Sequence, residues 1–424
     1  KINASTMINQ SKTCHQAEID SACELIDFWR FNTYYARQIY EDLQPSVSPS
    51  SMWNSSEVRP LEGFVFSVTP FNFSSIAANL PSSAAIMGNT GVWKPSRNSY
   101  VSNYHLMRLM MDAGLPDGVI NFIPGKASIV GEICLSHPML AGIHFTGSTA
   151  VFRKMWKDVA DNLPNMRSYP RIVGETGGKD FIVAHPNCDE KALIVALIRG
   201  AFEFQGQKCS AASRAYIPKS VWDNIKEEYC SEVSKITVGD PKDFSNFMSA
   251  VIDRKSFDNI CGYIDRADSD SGCEIITGGE YDDSRGYFIQ PTTIICSDPK
   301  YESMSEEIFG PVLSIYIYPD GEFEEVLKLC DETSEYALTG SIFATKREDI
   351  LTAQKALKYS SGNFYINDKP TGAVVGQQPF GGARGSGTND KAGSPLNLLR
   401  WVSPRSIKET FAPPHDWTYG FLNE

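Results

Sequence analysis

Long apolar runs and an excess of basic residues are both absent from this 424-residue sequence. A membrane-spanning helix needs about 20 consecutive apolar residues, and the best stretch here, residues 192–204, is interrupted by Arg199 and Glu203. Lys and Arg number 39 against 51 Asp and Glu, which gives a formal net charge of -12. Because a binder of duplex nucleic acid normally shows the opposite balance, we expect neither a membrane span nor a nucleic-acid partner.

Metal-binding clusters of cysteine and histidine are absent as well. The ten cysteines include no CxxC motif, and the six histidines form no Cys/His group with the spacing of a zinc site. This pattern is typical of a reducing compartment, in which most thiols stay free. We therefore predict no metal site and mostly inert thiols.

The two common phosphate-binding loops are also missing. The only GxG, at residues 385–387, is followed by TND and does not complete the GxGxxG motif of ordinary dinucleotide folds. The Gly-Lys pairs at residues 125–126 and 178–179 lack the spacing and the hydroxyl of a Walker A loop. Any nucleotide must therefore be bound by a different kind of motif.

Hydrophobic residues make up 42% of the chain, enough for a large core in two or three domains or in one large α/β enzyme. Their spacing predicts an amphipathic helix over residues 19–40, followed by short apolar strands that alternate with helices. The first series of strands and helices is predicted at residues 64–68, 74–87, 90–93, 100–113, 119–123, 128–136, 142–145 and 149–162. The second is predicted at residues 172–173, 181–184, 190–204, 215–217, 221–236, 312–318, 323–331, 341–344, 350–359 and 362–366. Repeated βα units predict an α/β fold with parallel, doubly wound sheets.

A polar hinge at residues 161–170, framed by two prolines, is the predicted domain boundary. We accordingly expect a nucleotide-binding domain at residues 1–170, a catalytic domain at residues 171–370, and a separate C-terminal portion at residues 371–424.

The C-terminal portion contains a Gly-rich run at residues 372–393, which is too long for a simple turn and is predicted to be a functional loop. Residues 400–411 are predicted to form an edge strand that pairs with another subunit. The chain begins with Lys1 in a helical pattern without a leader, and we expect that its front is cut.

Cys209 is the sharpest candidate for a nucleophile. It lies in a polar loop, QGQKCS at residues 205–210, between a predicted helix and a predicted strand. Backbone N–H groups beside the thiol in such a loop are expected to lower its pKa from about 8.5. No histidine lies in a polar motif that resembles a Cys–His dyad, so we expect the base to be a carboxylate.

Two polar residues near predicted strand ends complete the candidate chemistry. Glu175, in GETGGK at residues 174–179, follows a strand and is the candidate base, although such an acid is more often a solvated surface residue. The amide of Asn72, in TPFNF at residues 69–73, can donate to an oxyanion. The alternative for Asn72 is a helix cap.

Six spaced motifs resemble the aldehyde dehydrogenase superfamily and occur in its order. They are the loop of Asn72, WKPS at 93–96, FTGS at 145–148, ETGGK at 175–179, GQKC at 206–209 and EEIFGP at 306–311. Within the superfamily the chain is similar to the delta-1-pyrroline-5-carboxylate dehydrogenase branch, from ELIDF at 24–28 through GQQPFGG at 376–382 to IKET at 407–410. The resemblance implies a Rossmann-type NAD domain, an α/β catalytic domain and a strand for oligomerisation.

The resemblance implies roles for individual residues. Cys209 resembles the nucleophile that adds to the aldehyde, Asn72 with the Cys209 backbone N–H resembles the oxyanion donors, and Glu175 resembles the base that activates the deacylating water. The implied cofactor contacts are Thr69, Lys94, Gly147, Ser148, Glu307 and Phe309. Many members carry a Glu three residues after the lysine, where this chain has Arg97, and this leaves NADP open beside NAD.

The resemblance also implies a substrate with charged groups at one end. Ser210 and the backbone N–H groups of Gly372 and Ala373 resemble a clamp for an α-carboxylate. Glu24 resembles the acid near the α-ammonium, with a solvated helix acid as the alternative, and Phe380 resembles the aromatic wall beside the aliphatic chain.

The implied activity is the NAD-dependent oxidation of L-glutamate 5-semialdehyde to L-glutamate in proline catabolism, through a cysteine thiohemiacetal and thioester. Alternatives are a dehydrogenase of another ω-semialdehyde, a non-catalytic fragment with a binding surface, and a cysteine acyltransferase or esterase. The family also implies a homodimer or higher homo-oligomer and a location in the mitochondrial matrix.

Overall fold

The computed structural model describes residues 1–422. In chain order, its α-helices are α1 Ile2–Gln10, α2 Cys14–Ala17, α3 Glu24–Asp42, α4 Ser74–Ile86, α5 Tyr100–Asp112, α6 Ala127–Ser136, α7 Thr149–Asn162, α8 Glu190–Phe202, α9 Lys219–Val233, α10 Arg254–Ser269, α11 Glu302–Ser305, α12 Phe323–Glu332, α13 Arg347–Ala356 and α14 Pro395–Leu399. The first strands are β1 Met52–Pro60, β2 Phe64–Val68, β3 Thr90–Lys94, β4 Ile120–Phe122, β5 Leu140–Thr146, β6 Arg171–Glu175, β7 Asp180–Ala184, β8 Ala212–Pro218 and β9 Cys273–Thr277. The others are β10 Tyr281–Asp282, β11 Phe288–Ile289, β12 Thr292–Cys296, β13 Val312–Tyr318, β14 Tyr336–Ala337, β15 Thr339–Phe343, β16 Asn363–Ile366, β17 Ala383–Arg384 and β18 Val402–Thr410.

A five-stranded parallel sheet forms the first half of the molecule, in the order β4-β3-β2-β5-β6. Every residue of β5 is buried, because helices cover both faces of a parallel sheet. Helix α4 is buried along most of its length, and α3 packs on it. The apolar runs at residues 64–68 and 140–146 therefore read as strands buried on both faces.

A seven-stranded sheet forms the second half, in the order β16-β15-β7-β8-β13-β12-β9. All neighbours are parallel except β9, which runs antiparallel to β12 at the edge. Strands β7 and β8 are almost entirely buried, between two large apolar clusters. The two parallel sheets confirm the predicted α/β class.

The chain passes from the first sheet to the second later than the sequence pattern indicates. Strand β6 pairs in parallel with β5, with Thr146 opposite Glu175, so residues 171–175 belong to the first sheet. The polar hinge at residues 161–170 is the end of α7 and the loop that leads into β6. The crossing between the two sheets lies at residues 176–179. It follows the boundary predicted at residue 170, because the short strand β6 pairs with β5 of the first sheet and not with a strand of the second.

Strands β1 and β18 form an antiparallel two-stranded ribbon, in register from Met52 opposite Thr410 to Pro60 opposite Val402. The predicted edge strand at residues 400–411 thus has a partner within its own chain. Apart from Val58 and Val402, the ribbon is half-buried or exposed, and Trp53 is 57% exposed. The sequence patterns did not indicate β1.

The predicted helix over residues 19–40 is divided in the structure. A π-helical turn, Glu18–Cys23, precedes α3, and such turns often lie at functional sites. None of the helices within residues 1–422 is long and apolar enough to cross a membrane. In the same part of the chain, no three His, Cys, Asp or Glu side chains are grouped to hold a metal ion.

Candidate active site

The loop before Cys209 is held in an unusual backbone conformation. Helix α8 ends at a 3₁₀ turn, Glu203–Gly206, in which Phe204 and Gln205 have φ of 53° and 56°. Gly206 has a φ of 65°, and a Cβ at this position would lie 2.1 Å from the Gly310 carbonyl oxygen. Only glycine fits this approach, so the loop is pinned beside β13 and presents Cys209 in a fixed place.

The thiol of Cys209 faces the carboxylate of Glu175. Its Sγ donates to Glu175 Oε1 at 3.7 Å, across the seam between the two sheets. Burial raises the pKa of Glu175 to about 7, and the nearby charge of Lys391 opposes this rise. A carboxylate with a pKa close to the working pH is suited to accept and return protons. Glu175 is therefore not the solvated acid of the alternative interpretation.

The expectation that backbone N–H groups lower the pKa of Cys209 is wrong. Burial raises the pKa of this thiol well above its usual value, and the carboxylates of Glu175, Asp180 and Glu307 raise it further. The thiol is therefore protonated at neutral pH, and it needs a base to become a nucleophile. Glu175 is the carboxylate in contact with it.

Asn72 lies beside the nucleophile loop and does not cap a helix. Helix α4 begins after Phe73 without a side-chain cap, whereas the Asn72 amide donates to the Gln207 carbonyl at 3.0 Å. The side chain is buried, and this bond holds it against the residues that precede Cys209. The second N–H of the amide is the donor that can serve an oxyanion.

One cavity of about 420 Å³ connects the reactive pair with the predicted substrate residues. Both halves of the molecule line it. Its walls include Cys209, Glu175, Glu24, Ser210, Gly372, Ala373 and Phe380, all of which were predicted from the sequence. Asn72 is not among the described residues that line it.

Other walls of the cavity carry titratable and hydroxyl side chains. The Glu24 carboxylate hydrogen-bonds to the Ser75 hydroxyl, and burial raises the pKa of Glu24 to about 8. Ser210 Oγ lies 2.7 Å from Thr371 Oγ1, and Lys369 Nζ donates to the Thr371 carbonyl at 3.1 Å. Glu24 is thus a wall of the cavity, contrary to the alternative of a solvated helix acid.

A cluster of buried ions also borders the cavity. Lys12 Nζ lies 2.5 Å from Asp20 Oδ2, and Lys208 Nζ lies 3.3 Å from Glu203 Oε2 and 4.0 Å from Asp20. Lys12 also lies 4.2 Å from the ring centre of Phe204. Sequence reasoning missed this cluster, because isolated Lys and Asp residues in polar segments read as solvated.

Lys391 is a second residue that the sequence did not single out. Its ammonium donates to the carbonyl of Gly362 at 2.7 Å and to that of Gly381 at 3.1 Å, so the Gly-rich loop is fastened to β16. Burial lowers the pKa of Lys391, while the charge of Glu175 raises it. The sequence feature that could have identified Lys391 is its position in the Gly-rich run at residues 372–393, which was predicted to be a functional loop.

The predicted cofactor residues lie at one edge of the first sheet, outside the cavity that Cys209 lines. Thr69 follows β2, Lys94 ends β3, and Gly147 and Ser148 follow β5 and precede α7. The first turn of α7 has no side-chain cap, so its N–H groups are free to meet an anion. Carboxyl ends of parallel strands are the usual place for a nucleotide in such sheets.

Glu307 and Phe309 reach this region from the second half. The Glu307 carboxylate accepts from the Gly178 N–H at 2.9 Å, and burial raises the pKa of Glu307 to about 7. A Cβ at Gly177 would lie 2.3 Å from Glu307 Oε2, so a side chain here would displace the Glu307 carboxylate. Phe309, with φ of 59°, meets the Phe71 ring edge-on at 6.0 Å.

The sequence profile of the aldehyde dehydrogenase family matches residues 1–407. The protein named "Delta-1-pyrroline-5-carboxylate dehydrogenase, mitochondrial" from Dictyostelium discoideum is 55% identical over 421 residues, which are 99% of this chain and 75% of the relative. The protein of the same name from Homo sapiens is 49% identical over 424 residues, 100% of this chain and 75% of the relative.

Solved structures give the same result. The delta-pyrroline-5-carboxylate dehydrogenase from Mycobacterium tuberculosis, crystallised with NAD, superposes with a TM-score of 0.95 at 53% identity and covers 100% of this chain and 77% of its own. The 1-pyrroline-5-carboxylate dehydrogenase from Thermus with bound NAD superposes with a TM-score of 0.91 at 31% identity, over 97% of this chain and 78% of its own.

Proposed function

Because the chain belongs to the aldehyde dehydrogenase family, in line with the resemblance of its motifs, we propose that it oxidises L-glutamate 5-semialdehyde to L-glutamate with NAD. The named activity of its relatives and the NAD in two related structures support this proposal. The observation that carries it is one cavity that is lined by a thiol and a carboxylate in contact with each other and by the predicted substrate residues.

Charge complementarity supports an amino-acid semialdehyde as substrate. Glu24 carries a carboxyl group that burial keeps largely protonated, and an α-ammonium beside it would favour the ionised form. For the α-carboxylate we assign Ser210 and the backbone N–H groups of Gly372 and Ala373, with the charge of Lys369 close by. Phe380 lines the same cavity and suits the aliphatic chain.

The first chemical step joins the thiol to the aldehyde carbon. Glu175 takes the proton of Cys209, with which it is already in hydrogen-bond contact, and the thiolate sulfur adds to the carbonyl carbon. We assign the second N–H of Asn72 and the backbone N–H of Cys209 to the resulting oxyanion. Removal of one such donor typically costs about 10²–10³ in rate.

The residues at the edge of the first sheet fit NAD. Uncapped N–H groups at the start of α7 suit a pyrophosphate, Lys94 and Glu307 suit ribose hydroxyls, and the Phe309 ring suits the flank of a nicotinamide. NAD, when bound, would supply the acceptor for the hydride that the thiohemiacetal gives up. Thr69, directly after β2, is fixed in place, since its hydroxyl accepts from Trp93 Nε1 at 2.9 Å.

The surroundings of Arg97 favour NAD over NADP. Its guanidinium is 79% exposed and lies 4.0 Å from the carboxylate of Asp253, which also accepts from the Asn98 amide at 3.0 Å. A carboxylate at this place repels a 2′-phosphate and offsets the charge of the arginine. The departure at Arg97 is therefore compatible with NAD as the oxidant.

The second chemical step releases the product. Glu175 first passes the proton of Cys209 to solvent and then accepts a proton from a water molecule, whose oxygen attacks the thioester carbon. The C–S bond breaks, and Glu175 returns its proton to the sulfur, which gives L-glutamate and the free thiol of Cys209. A buried carboxyl with a pKa of about 7 can release and take up a proton in this way at neutral pH.

The decisive experiment measures reduction of NAD by the purified chain with pyrroline-5-carboxylate, beside a Cys209→Ala variant. We expect turnover that Cys209→Ala abolishes, while the thermal stabilisation by NAD is kept, since saturating ligand at 100 times its dissociation constant adds about 2.7 kcal/mol. Turnover that survives in Cys209→Ala contradicts the nucleophile. NAD binding without any turnover supports the non-catalytic alternative.

A second comparison tests the substrate. An aliphatic aldehyde of matched length without the α-amino and α-carboxylate groups should have a much lower kcat/KM than the semialdehyde. Equal values would favour a dehydrogenase of broader or different aldehydes. Hydrolysis of an activated ester without any nicotinamide reduction would favour an acyltransferase or esterase.

Assembly and location follow as further parts of the proposal. Residues 1–175 are assigned to cofactor binding, residues 176–370 to catalysis, and residues 371–424 to substrate anchoring and assembly. The ribbon of β1 and β18, with its exposed Trp53, supports a homodimer or higher homo-oligomer. The mitochondrial names of the relatives support the mitochondrial matrix as its compartment.

A further inference from the structure

Two cysteines far from the nucleophile face each other across the edge of the second sheet. Cys296 ends β12 and is directly opposite Cys273, the first residue of the outermost strand β9. Strand registers within residues 1–422 pair no other two cysteines. We propose that Cys273 and Cys296 form a cross-strand dithiol that a hydroperoxide oxidises to a disulfide and that a small thiol reduces again.

The backbone geometry at this pair fits a disulfide. The N–H of Ser297 donates to the Gly272 carbonyl at 2.9 Å, and the Cys273 N–H donates to Asp270 within its own turn at 3.0 Å. This pattern identifies the cysteines as a non-hydrogen-bonded pair of the ladder, in which the two Cα atoms are about 4.5 Å apart. Disulfides span Cα distances of about 4.4–6.8 Å, so the bond can close without moving the strands.

The side chains are also in reach of each other. Residues directly opposite in an antiparallel pair project to the same face, and each of the two thiols affects the pKa of the other. Cys273 is half-buried and Cys296 is buried, so a small oxidant reaches Cys273 first. Cys296 Sγ has a second neighbour, Ser303 Oγ, at 3.6 Å.

The reaction balances with one peroxide. The Cys273 thiolate attacks the peroxide, the O–O bond breaks, and a sulfenic acid forms with release of water or an alcohol. The Cys296 sulfur then attacks the Cys273 sulfur, the S–O bond breaks, and a second water leaves. Two thiol protons and two electrons pass to the peroxide, and two equivalents of a small thiol restore the pair.

The order of these events follows from the environment of the two sulfurs. Burial raises the pKa of both thiols, that of Cys296 to about 12. The first step is therefore slow, and it begins at Cys273, the more exposed of the two. The second step is intramolecular, because Cys296 lies directly opposite Cys273 in the ladder.

Trypsin provides a direct test, because it places the two cysteines on separate peptides. Residues 267–285 contain Cys273 and residues 286–300 contain Cys296, each as the single cysteine of its peptide. The full chain is treated with hydrogen peroxide, free thiols are alkylated, and the digest is analysed by mass spectrometry. We expect the two peptides to appear linked, at a mass two hydrogens below their sum, and to separate on reduction with dithiothreitol.

A Cys273→Ser variant is the matched control, in which the linked species must be absent. When the same oxidation is carried out in denaturant, Cys296 should form disulfides with several of the other cysteines. This result would show that the specific link to Cys273 depends on the folded structure. The proposal is overturned when peroxide leaves the two peptides separate, either alkylated or carrying sulfinic acid, while other thiols of the folded chain are oxidised.

Discussion

Replacement of Glu175 by Gln should remove both activity and its dependence on pH near neutrality. Burial gives Glu175 a pKa of about 7, against an ordinary 4.5. A base must be ionised to act, so the rate should rise with pH through 7, with kcat at pH 6 about one tenth of kcat at pH 8. A base with the ordinary pKa would give a flat profile over this range.

The size of the loss follows from the same geometry. Gln is isosteric with Glu but cannot take the proton of Cys209, which lies 3.7 Å from Glu175 Oε1. We expect kcat to fall about 10²–10⁴-fold, the usual contribution of a positioned base, and the residual rate to lose its acid limb. Formation of reduced nicotinamide is followed at several pH values for both proteins.

The control concerns the substrate, since opening of the pyrroline ring itself depends on pH. The profile is therefore repeated with an open-chain aldehyde that carries no amine. A flat wild-type profile between about pH 6 and pH 8, or an acid limb that persists in Glu175→Gln, would refute the assignment of the base.

The same profile tests Lys391, whose charge lowers the pKa of Glu175. Lys391→Met should move the acid limb to higher pH, and Lys391→Arg should move it back. An unchanged midpoint in Lys391→Met, with kcat altered equally at all pH values, would mean that this lysine only holds the loop.

Two further substitutions test the buried contacts. Gly177→Ala places a Cβ 2.3 Å from Glu307 Oε2 and should raise KM for NAD about tenfold. The control variant Gly131→Ala, which has open space around the new Cβ, should leave this KM unchanged. Equal KM values for the two variants would contradict a clamp at Glu307. Lys12→Met removes the 2.5 Å partner of the buried Asp20 and leaves it only Lys208 at 4.0 Å, so it should lower the free energy of unfolding in urea by about 3–5 kcal/mol. A loss below about 1 kcal/mol would show that the pair is solvated.

The sequence predicted those features that depend on local pattern. Strands β2 and β13 and helix α7 have the predicted bounds, because buried apolar runs and an amphipathic repeat leave little choice of period. Cys209, Glu24 and Phe380, which the sequence singled out, line one cavity.

Features that depend on distant contacts were not predictable. Lys12 pairs with Asp20 only because the rings of Phe73 and Phe204 exclude water around it, and no local pattern carries that information. The pKa of Cys209 was not predictable for the same reason, since burial raises it and carboxylates from separate segments of the chain raise it further. Strand β9 is short, polar in part and at a sheet edge, where hydrophobic alternation is weak.

The crossing between the sheets has a consequence for protein engineering. Asn72 and Glu175 precede residues 176–179, whereas Cys209 and the anchoring loop follow them. A chimera of two related enzymes joined in this stretch inherits Glu175 from one parent and Cys209 from the other. Activity of the chimera then depends on whether the two parental halves re-form the 3.7 Å contact between the Cys209 thiol and the Glu175 carboxylate, and not on either half alone.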